Sequence, residues 1–258
     1  MALTKNIVEV EKAVMIYPTI GNRSIKDFLS RSIKTPPRLN LEGIGYHRPR
    51  AIDGVSLEIP RGSKYGILGH NGSGKSTLLA LILGIIQPNE GIVRVGGRAV
   101  GLLEMGSGFH PELSGKENIL LHLSVLGVRL IEAKKLVPHI IDFCELGDAI
   151  SYPLKTYSSG MVTRLAFSVL CHVPADIFLI DEVIAVGDYA FQKKCLKFMD
   201  TFSQNGGTIV FVAQDPNNLR EFCELGLCLH EGRVSASGKM DYVAQAYIEE
   251  IENTKSTA

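Results

Sequence analysis

A glycine-rich segment that ends in a lysine and a serine carries the strongest chemical signal in the sequence. Residues 69–76 read GHNGSGKS and match the spacing G-x-x-x-x-G-K-[ST]. An apolar strand pattern at 65–68 precedes the segment, and an apolar helical pattern begins at Lys75. Such glycines let backbone N–H groups turn around a phosphate, the helix N-terminus favours negative charge, and Lys75 adds a mobile cation. The segment therefore predicts a binding site for the phosphates of a nucleotide.

The predicted phosphate site is built from consecutive residues. We expect the phosphates to be held by Gly69, His70, Asn71, Gly72, Ser73, Gly74, Lys75, Ser76 and Thr77. The Ser76 hydroxyl is the candidate Mg²⁺ ligand, because the motif places a serine or threonine hydroxyl on the metal. Lys75 is also a candidate catalytic residue, since its charge lies where the phosphates are expected.

A second candidate site lies at the end of a buried strand. Residues 177–182 read IFLIDE, four apolar residues followed by two acids, as in a strand that emerges at the carboxyl edge of a parallel sheet. Asp181 would bind Mg²⁺ through water, and Glu182 would polarise the attacking water. Many buried strands end in acids, so this pattern gains its meaning from the phosphate motif upstream.

Small residues also precede a helix between these two sites. Residues 156–161 read TYSSGM, and the helical pattern RLAFSVL follows. Ser158, Ser159 and Gly160 would leave backbone N–H groups free at the helix start, which makes a second anion-binding surface. An ordinary helix N-cap explains the same residues, and the two interpretations stay open at this point.

The order of the predicted elements indicates an α/β fold. Strand patterns occur at 7–10, 14–17, 51–60, 63–69, 92–95 and 100–103, and buried strands return at 177–180 and 208–213. Residues from about 111 to 154 are helical in pattern, and we expect a helical subdomain over about 111–170. A β-rich start, a helical insert and a resumed alternation predict a parallel sheet wrapped by helices.

Composition excludes several classes of protein. With 258 residues, 45% hydrophobic and 21% charged, the chain is expected to fold as a single domain over 1–258. Its longest apolar stretch, 78–86, has nine residues, whereas a membrane span takes roughly 20. The 27 basic and 27 acidic residues balance, so nothing attracts nucleic acid. The N-terminus carries charges where a secretory signal peptide would need an apolar run, so we expect a cytosolic location.

The five cysteines lack metal-ligand or disulfide spacing. They are odd in number and never form a CxxC pair, so we expect buried free thiols.

Residues 18–50 form a basic insertion between strand patterns. Seven basic residues lie between Gly21 and Arg50, against two acids. Ile25, Phe28 and Leu29 recur at near-helical spacing, which predicts a short amphipathic helix. That helix could face anionic lipid headgroups or the pyrophosphate of a lipid-linked glycan, or it could be an ordinary solvated helix.

The order of the motifs resembles that of ABC-type ATPases over residues 7–247. In that family a phosphate loop, a signature segment and an acidic strand follow one another, and Tyr157–Met161 resembles the signature LSGGQ. LLEMGSGFHPELSGKENI, TYSSGM and DEVIAVGDYAFQKKC look like the subunits that export O-antigen, capsular polysaccharide or teichoic acid. The 18–50 insertion resembles the gate-helix region of this branch.

The resemblance implies further site residues. Tyr17 is similar to the aromatic residue that stacks on adenine, although it could be an ordinary strand aromatic. Glu104 is the candidate for the Q-loop position, with Met105 as the alternative, and a Q-loop residue senses Mg²⁺. Asp188 resembles the D-loop aspartate at the dimer interface. Gln214 stands where the family normally has a histidine that contacts the γ-phosphate. Because glutamine cannot be protonated, this replacement predicts slow hydrolysis of ATP.

The implied fold is a RecA-like parallel sheet core with an N-terminal antiparallel β subdomain and a helical subdomain. We also expect a helical C-terminal tail over 235–258 and no C-terminal carbohydrate-binding domain. The implied function is ATP hydrolysis with Mg²⁺ by a homodimer at the cytoplasmic face of the plasma membrane. It would power export of a lipid-linked surface polysaccharide through a separate membrane permease. The alternatives are a slow or regulatory cassette, or an ATPase for another transported substrate.

Overall fold

Two β-sheets carry the described part of the chain, which comprises residues 5–17, 50–101, 108–181 and 189–256 of the computed structural model. The smaller sheet has the strand order β2-β1-β4, and the larger sheet has the order β5-β6-β7-β3-β8-β9. Their strands are β1 Asn6–Ile16, β2 Arg50–Pro60, β3 Lys64–Leu68, β4 Glu90–Val95, β5 Ala99–Gly101, β6 Ile177–Asp181, β7 Thr208–Ala213, β8 Leu225–His230 and β9 Arg233–Lys239.

The smaller sheet is antiparallel throughout, as the resemblance implies. Its central strand β1 is continuous, whereas the sequence pattern suggested separate strands at 7–10 and 14–17. A bulge explains the difference: Lys12 has φ 46°, and its N–H donates to Ser56 Oγ instead of the ladder. The extra residue shifts the alternation of apolar side chains while the strand itself runs on.

The larger sheet has β3 between two parallel neighbours, β7 and β8, and only its edge strand β9 pairs antiparallel. Leu68 pairs with Ala213, and Asp181 pairs with Val212, so β3, β7 and β6 end at the same edge of the sheet. The predicted α/β fold with a parallel core is therefore confirmed. This shared edge decides which loops can meet.

Both faces of the larger sheet are covered, which explains its continuous apolar strands. Along β7, Ile209 and Phe211 face one core cluster, which includes side chains from the helices. Val210 and Val212 face the other cluster, which includes side chains of β1 and β2. The larger sheet is thus packed between the smaller sheet and the helix Lys75–Ile82 on one side and the other helices on the opposite side.

Seven α-helices occur among the described residues. They are α1 Lys75–Ile82, α2 Gly115–Val125, α3 Leu130–Cys144, α4 Ser159–His172, α5 Tyr189–Gln204, α6 Pro216–Phe222 and α7 Met240–Ser256. Helices α2, α3 and α4 pack against one another in the region where the helical subdomain is expected. The helix α1 has only eight residues, shorter than its apolar sequence suggested, and the chain turns at Gly84 with φ 71°.

The prediction of a C-terminal helical tail over 235–258 places the start of the helix too early in the sequence. The helix α7 starts at Met240, because residues 233–239 pair with β8 as an antiparallel strand. Only Ala236 of that strand is buried, so its sequence shows no alternation of apolar residues.

The described helices include none that is both long enough and apolar enough to cross a bilayer. All five cysteines are buried and free, as expected from their spacing. Burial raises the pKa of the Cys195 and Cys223 thiols to about 12, so both stay protonated at neutral pH.

Candidate nucleotide-binding site

The glycine-rich loop joins the central strand β3 directly to helix α1. Gly74 is the residue before the helix, and its φ of 106° lies in the left-handed region. A Cβ at this position would overlap the Ala51 carbonyl oxygen of β2. Glycine is therefore required at residue 74 both for its backbone conformation and for the close approach of β2.

Lys75 places its ammonium inside this loop. Its exposed fraction is 9%, and Nζ donates to the carbonyl oxygens of Gly69 at 2.7 Å and His70 at 2.8 Å. A buried cation needs oxygen acceptors to offset the loss of water. The loop carbonyls supply such acceptors, and a phosphate oxygen could supply another.

The loop fits a phosphate in three respects. The first N–H groups of α1 have no acceptor within the helix, and the first turn of α1 contains no acidic residue. Ser73 Oγ is fully buried and has no hydrogen-bond partner among the described residues. These donors and the Lys75 charge converge on the same loop, and this arrangement suits an anion with several oxygens.

A cavity of about 240 Å³ opens above the loop. Its lining comprises Ala51, Asn71, Gly72, Gly74, Lys75, Ser76, Thr77 and Gln214. Gln214 reaches the cavity because it follows β7, the strand that pairs with β3. The structure thus brings Gln214 together with the glycine-rich loop. The two are far apart in sequence, and the pairing of β3 with β7 brings them together.

Tyr17 lies directly after β1, and 43% of its surface is exposed. The preceding residue, Ile16, pairs with Arg50 of β2, and Arg50 is followed by the cavity residue Ala51. The position of Tyr17 is fixed further by Asn89, whose Oδ1 accepts from the Ile16 N–H at 2.7 Å. An exposed aromatic ring therefore stands next to the strand that borders the cavity.

The acidic strand end is described only in part. The backbone of Asp181 ends β6, at the same sheet edge as the glycine-rich loop. The remaining predicted residues here, Glu104 with its alternative Met105, Glu182 and Asp188, lie outside the described residues. The same holds for residues 18–49 of the insertion.

The signature segment begins helix α4. Ser158 is the N-cap, and its Oγ accepts a hydrogen bond from the Met161 N–H at 3.2 Å. The interpretation of this segment as a helix N-cap is therefore confirmed. Ser158 and Ser159 are exposed, and neither they nor Gly160 lines the cavity. The signature segment therefore lies outside the cavity that the glycine-rich loop borders.

Sequence reasoning missed the hairpin between β8 and β9 as a support of the loop. The Gly232 N–H donates to the Ser73 carbonyl at 2.9 Å, and the Gly232 carbonyl accepts from the Asp53 N–H at 2.8 Å. Hydrogen bonds from Arg50 and Arg233 hold the pKa of Asp53 below its usual range. A turn at Glu231 and Gly232 was the only local signal, and it does not say what the turn touches.

Comparisons with known proteins agree with this geometry. The family described as ABC transporter matches residues 52–185. The chain is 38% identical over 242 residues to the O-antigen export system ATP-binding protein RfbB of Klebsiella pneumoniae, covering 94% of this chain and 96% of that protein. It is 42% identical over 199 residues to the teichoic acids export ATP-binding protein TagH of Bacillus anthracis, covering 77% of this chain but 36% of that protein.

A solved structure supports the fold. It is a dimeric post-hydrolysis state of an ATP-binding cassette bound to ADP and Pi, with a TM-score of 0.69 and 21% sequence identity. The match covers 90% of this chain and 98% of that chain.

Replacing Lys75 by methionine should weaken ATP binding by about 10- to 100-fold, because a charge-assisted contact to the phosphates is lost. Lys64→Met is the matched control: Lys64 begins the same strand β3 and pairs with Asp200, away from the cavity. Titration with a fluorescent ATP analogue measures both variants. Equal affinities for the two would contradict the placement of the phosphates.

Proposed function

This chain belongs to the ABC transporter family, and we propose that it is the ATP-hydrolysing subunit of an exporter of a lipid-linked surface polysaccharide. The observation that carries the proposal is its similarity to an O-antigen export ATP-binding protein along 96% of that protein's length. The teichoic acids export relative supports a related class of cargo.

ATP would bind with its phosphates in the glycine-rich loop. Backbone N–H groups at the start of α1 and the Lys75 ammonium would hold the β- and γ-phosphates. Lys75 Nζ would then exchange a loop carbonyl for a phosphate oxygen. The exposed ring of Tyr17 would stack on the adenine, since it stands beside the strand that borders the cavity.

Mg²⁺ would be held by the Ser76 hydroxyl and by Asp181 through water, and Glu104 is the candidate that senses it. When bound, Mg²⁺ neutralises charge on the phosphate oxygens. The chain's own residues supply the rest of the site. The Ser76 position borders the cavity, and the Asp181 backbone ends the strand next to β7.

Hydrolysis would use Glu182 and Gln214. Glu182 would accept a hydrogen bond from the attacking water and orient it towards the γ-phosphate. The Gln214 amide would donate to the γ-phosphate as its charge develops. Because an amide cannot carry a positive charge or transfer a proton at neutral pH, we expect slower turnover than with histidine.

A complete site would need two chains. Ser158, Ser159 and Gly160 present a helix N-terminus that is exposed and lies outside the chain's own cavity. A second copy, placed head to tail, would bring these residues onto the γ-phosphate of the first, so that the homodimer holds ATP between its chains. The Asp188 position would lie at the same interface.

Transport would require a separate membrane permease, as the names of the relatives as export-system ATP-binding proteins suggest. The dimer would then lie at the cytoplasmic face of the plasma membrane. Residues 18–50, with basic side chains around Ile25, Phe28 and Leu29, are the candidate contact with the lipid-linked substrate. The alternative of a slow or regulatory cassette is not favoured, because the relatives are export ATP-binding proteins.

Export in cells tests the proposed function. In cells that keep the permease and the polymer-assembling enzymes but lack this chain, Lys75→Met should fail to restore the surface polysaccharide, and Lys64→Met should restore it. Lipid-linked polymer should accumulate inside the cells that carry Lys75→Met. Normal surface polysaccharide with Lys75→Met, measured by immunoblot, would refute the export role.

Dimerisation tests the shared site. With Mg-ATP present and hydrolysis blocked by Glu182→Gln, the chain should form dimers. The unhydrolysed phosphates then keep their contacts with the glycine-rich loop of one chain and with Ser158–Gly160 of the other. Adding Ser158→Arg should prevent this, since the long side chain would occupy the place of the partner's phosphate. Ser124→Arg, at another exposed serine, is the control. ATP-driven dimers that light scattering finds unchanged by Ser158→Arg would exclude this geometry.

Turnover tests the role of Gln214. Gln214→His should raise kcat about tenfold with little change in KM, because an imidazole can carry a positive charge and that charge acts mainly on the transition state. Glu182→Gln serves as the inactive control. If the histidine variant hydrolyses ATP no faster than the starting protein, Gln214 does not limit turnover.

A further inference from the structure

Residues 153–155, which precede the signature helix α4, are attached by backbone hydrogen bonds to residues 111–114, a loop far away in the sequence. The N–H groups of Leu154 and Lys155 donate to the carbonyl oxygens of Leu113 and Pro111, both at 2.9 Å. Ser114 and Pro153 form an isolated antiparallel bridge beside them. Residues 111–114 and 153–155 therefore form one two-segment unit, which we call the clamp.

A buried amide holds the first half of the clamp rigid. Asn118 is fully buried, and its Nδ2 donates to the carbonyl oxygens of His110, Leu113 and Ser114, each at 3.0 Å. Its Oδ1 accepts from the His110 N–H at 2.6 Å. Since every polar atom of the side chain is used within the 110–114 loop, helix α2 fixes the shape of that loop.

Tyr157 connects the clamp to the signature segment. Its N–H donates to the Leu154 carbonyl at 2.9 Å, and its hydroxyl donates to the Ala149 carbonyl at 2.6 Å. The next residue is Ser158, the N-cap of α4. Tyr157 is thus held at its backbone and at its ring end, immediately before the residues that would meet the partner's nucleotide.

The hydroxyl of Tyr157 also lies against Gly115, the first residue of α2. A Cβ at Gly115 would overlap that hydroxyl, and it would also approach Ile150 Cδ1 to 2.9 Å and the Ile150 carbonyl oxygen to 3.1 Å. The backbone of Gly115 does not require a positive φ. Glycine is therefore needed here for space and not for its own conformation, and the Tyr157 hydroxyl is the atom that an added Cβ would overlap most.

We propose that Tyr157 is a positioning residue of the shared ATP site, whose contact with Gly115 sets where Ser158–Gly160 meet the partner's nucleotide. The inference rests on the proposed head-to-tail dimer. Displacing Tyr157 moves the start of α4 and leaves the glycine-rich loop, which is carried by β3 and α1, where it is. The effect must therefore fall on turnover and not on the chain's own affinity for ATP.

A wedge and its relief test the proposal. Gly115→Ala forces the Tyr157 hydroxyl to move on the order of 1 Å, and such a misplacement costs about tenfold to a hundredfold in kcat. ATP affinity, measured with a fluorescent analogue, should stay within about twofold, since the phosphate loop is untouched. Tyr157→Phe removes the overlapping oxygen, so the double variant Gly115→Ala with Tyr157→Phe should recover most of the kcat of Tyr157→Phe alone.

Other outcomes would overturn the positioning role. They are a normal kcat for Gly115→Ala, a loss that Tyr157→Phe does not relieve, and a loss of ATP affinity together with kcat. If Gly115→Ala does not fold, Tyr157→Ala gives the second test against Tyr152→Ala, which alters a tyrosine that is 56% exposed. Tyr157→Ala should lower kcat and keep ATP affinity, and a kcat equal to that of Tyr152→Ala would refute the proposal.

Failure of the dimer itself is recognised separately. In that case Ser158→Arg would not alter the turnover of the otherwise unchanged chain, whatever Gly115→Ala does. If Ser158→Arg abolishes turnover and Gly115→Ala leaves it normal, the shared site stands and only the role of Tyr157 is lost.

Discussion

The buried ammonium of Lys75 is the interaction on which the rest of the site depends. A cation with so little contact with water must be surrounded by oxygens, and the loop offers it the carbonyls of Gly69 and His70. The N–H groups at the start of α1 point into the same space, where they favour negative charge. Positive charge and free donors are therefore concentrated at one loop, and a phosphate satisfies both at once.

The strand order brings the remaining groups to that loop. Because β7 pairs with β3, Gln214 enters the phosphate cavity, and because β6 pairs with β7, Asp181 reaches the same edge of the sheet. The smaller sheet contributes Ala51 of β2 to the cavity, and Tyr17 directly follows the neighbouring strand β1. The signature segment belongs to the helical subdomain instead, so its absence from the cavity lining follows from the architecture and is the reason for proposing a second chain.

Sequence patterns were informative where the determining interactions are local. The glycine-rich loop, the buried strands at 177–180 and 208–213 and the N-cap at Ser158 depend on neighbouring residues, and all occur where they were expected. The strand β9 was missed because it lies at a sheet edge with one buried residue, and its partner β8 decides its conformation. The contacts of Gly232 with Ser73, and of Gly115 with Tyr157, join residues far apart in sequence, and no local pattern indicates them.

The shared ATP site is tested most directly by mixing two inactive chains. Lys75→Met disrupts the glycine-rich loop and leaves Ser158–Gly160 intact. Ser158→Arg disrupts the signature segment and leaves the glycine-rich loop intact. In a head-to-tail dimer of one chain of each kind, one of the two sites has both intact halves. The ATPase activity of an equal mixture should therefore rise well above that of either variant alone, to at most half that of the unmodified chain, because one of the two sites in each mixed dimer is intact. A mixture no more active than either variant alone would contradict a site formed between two chains.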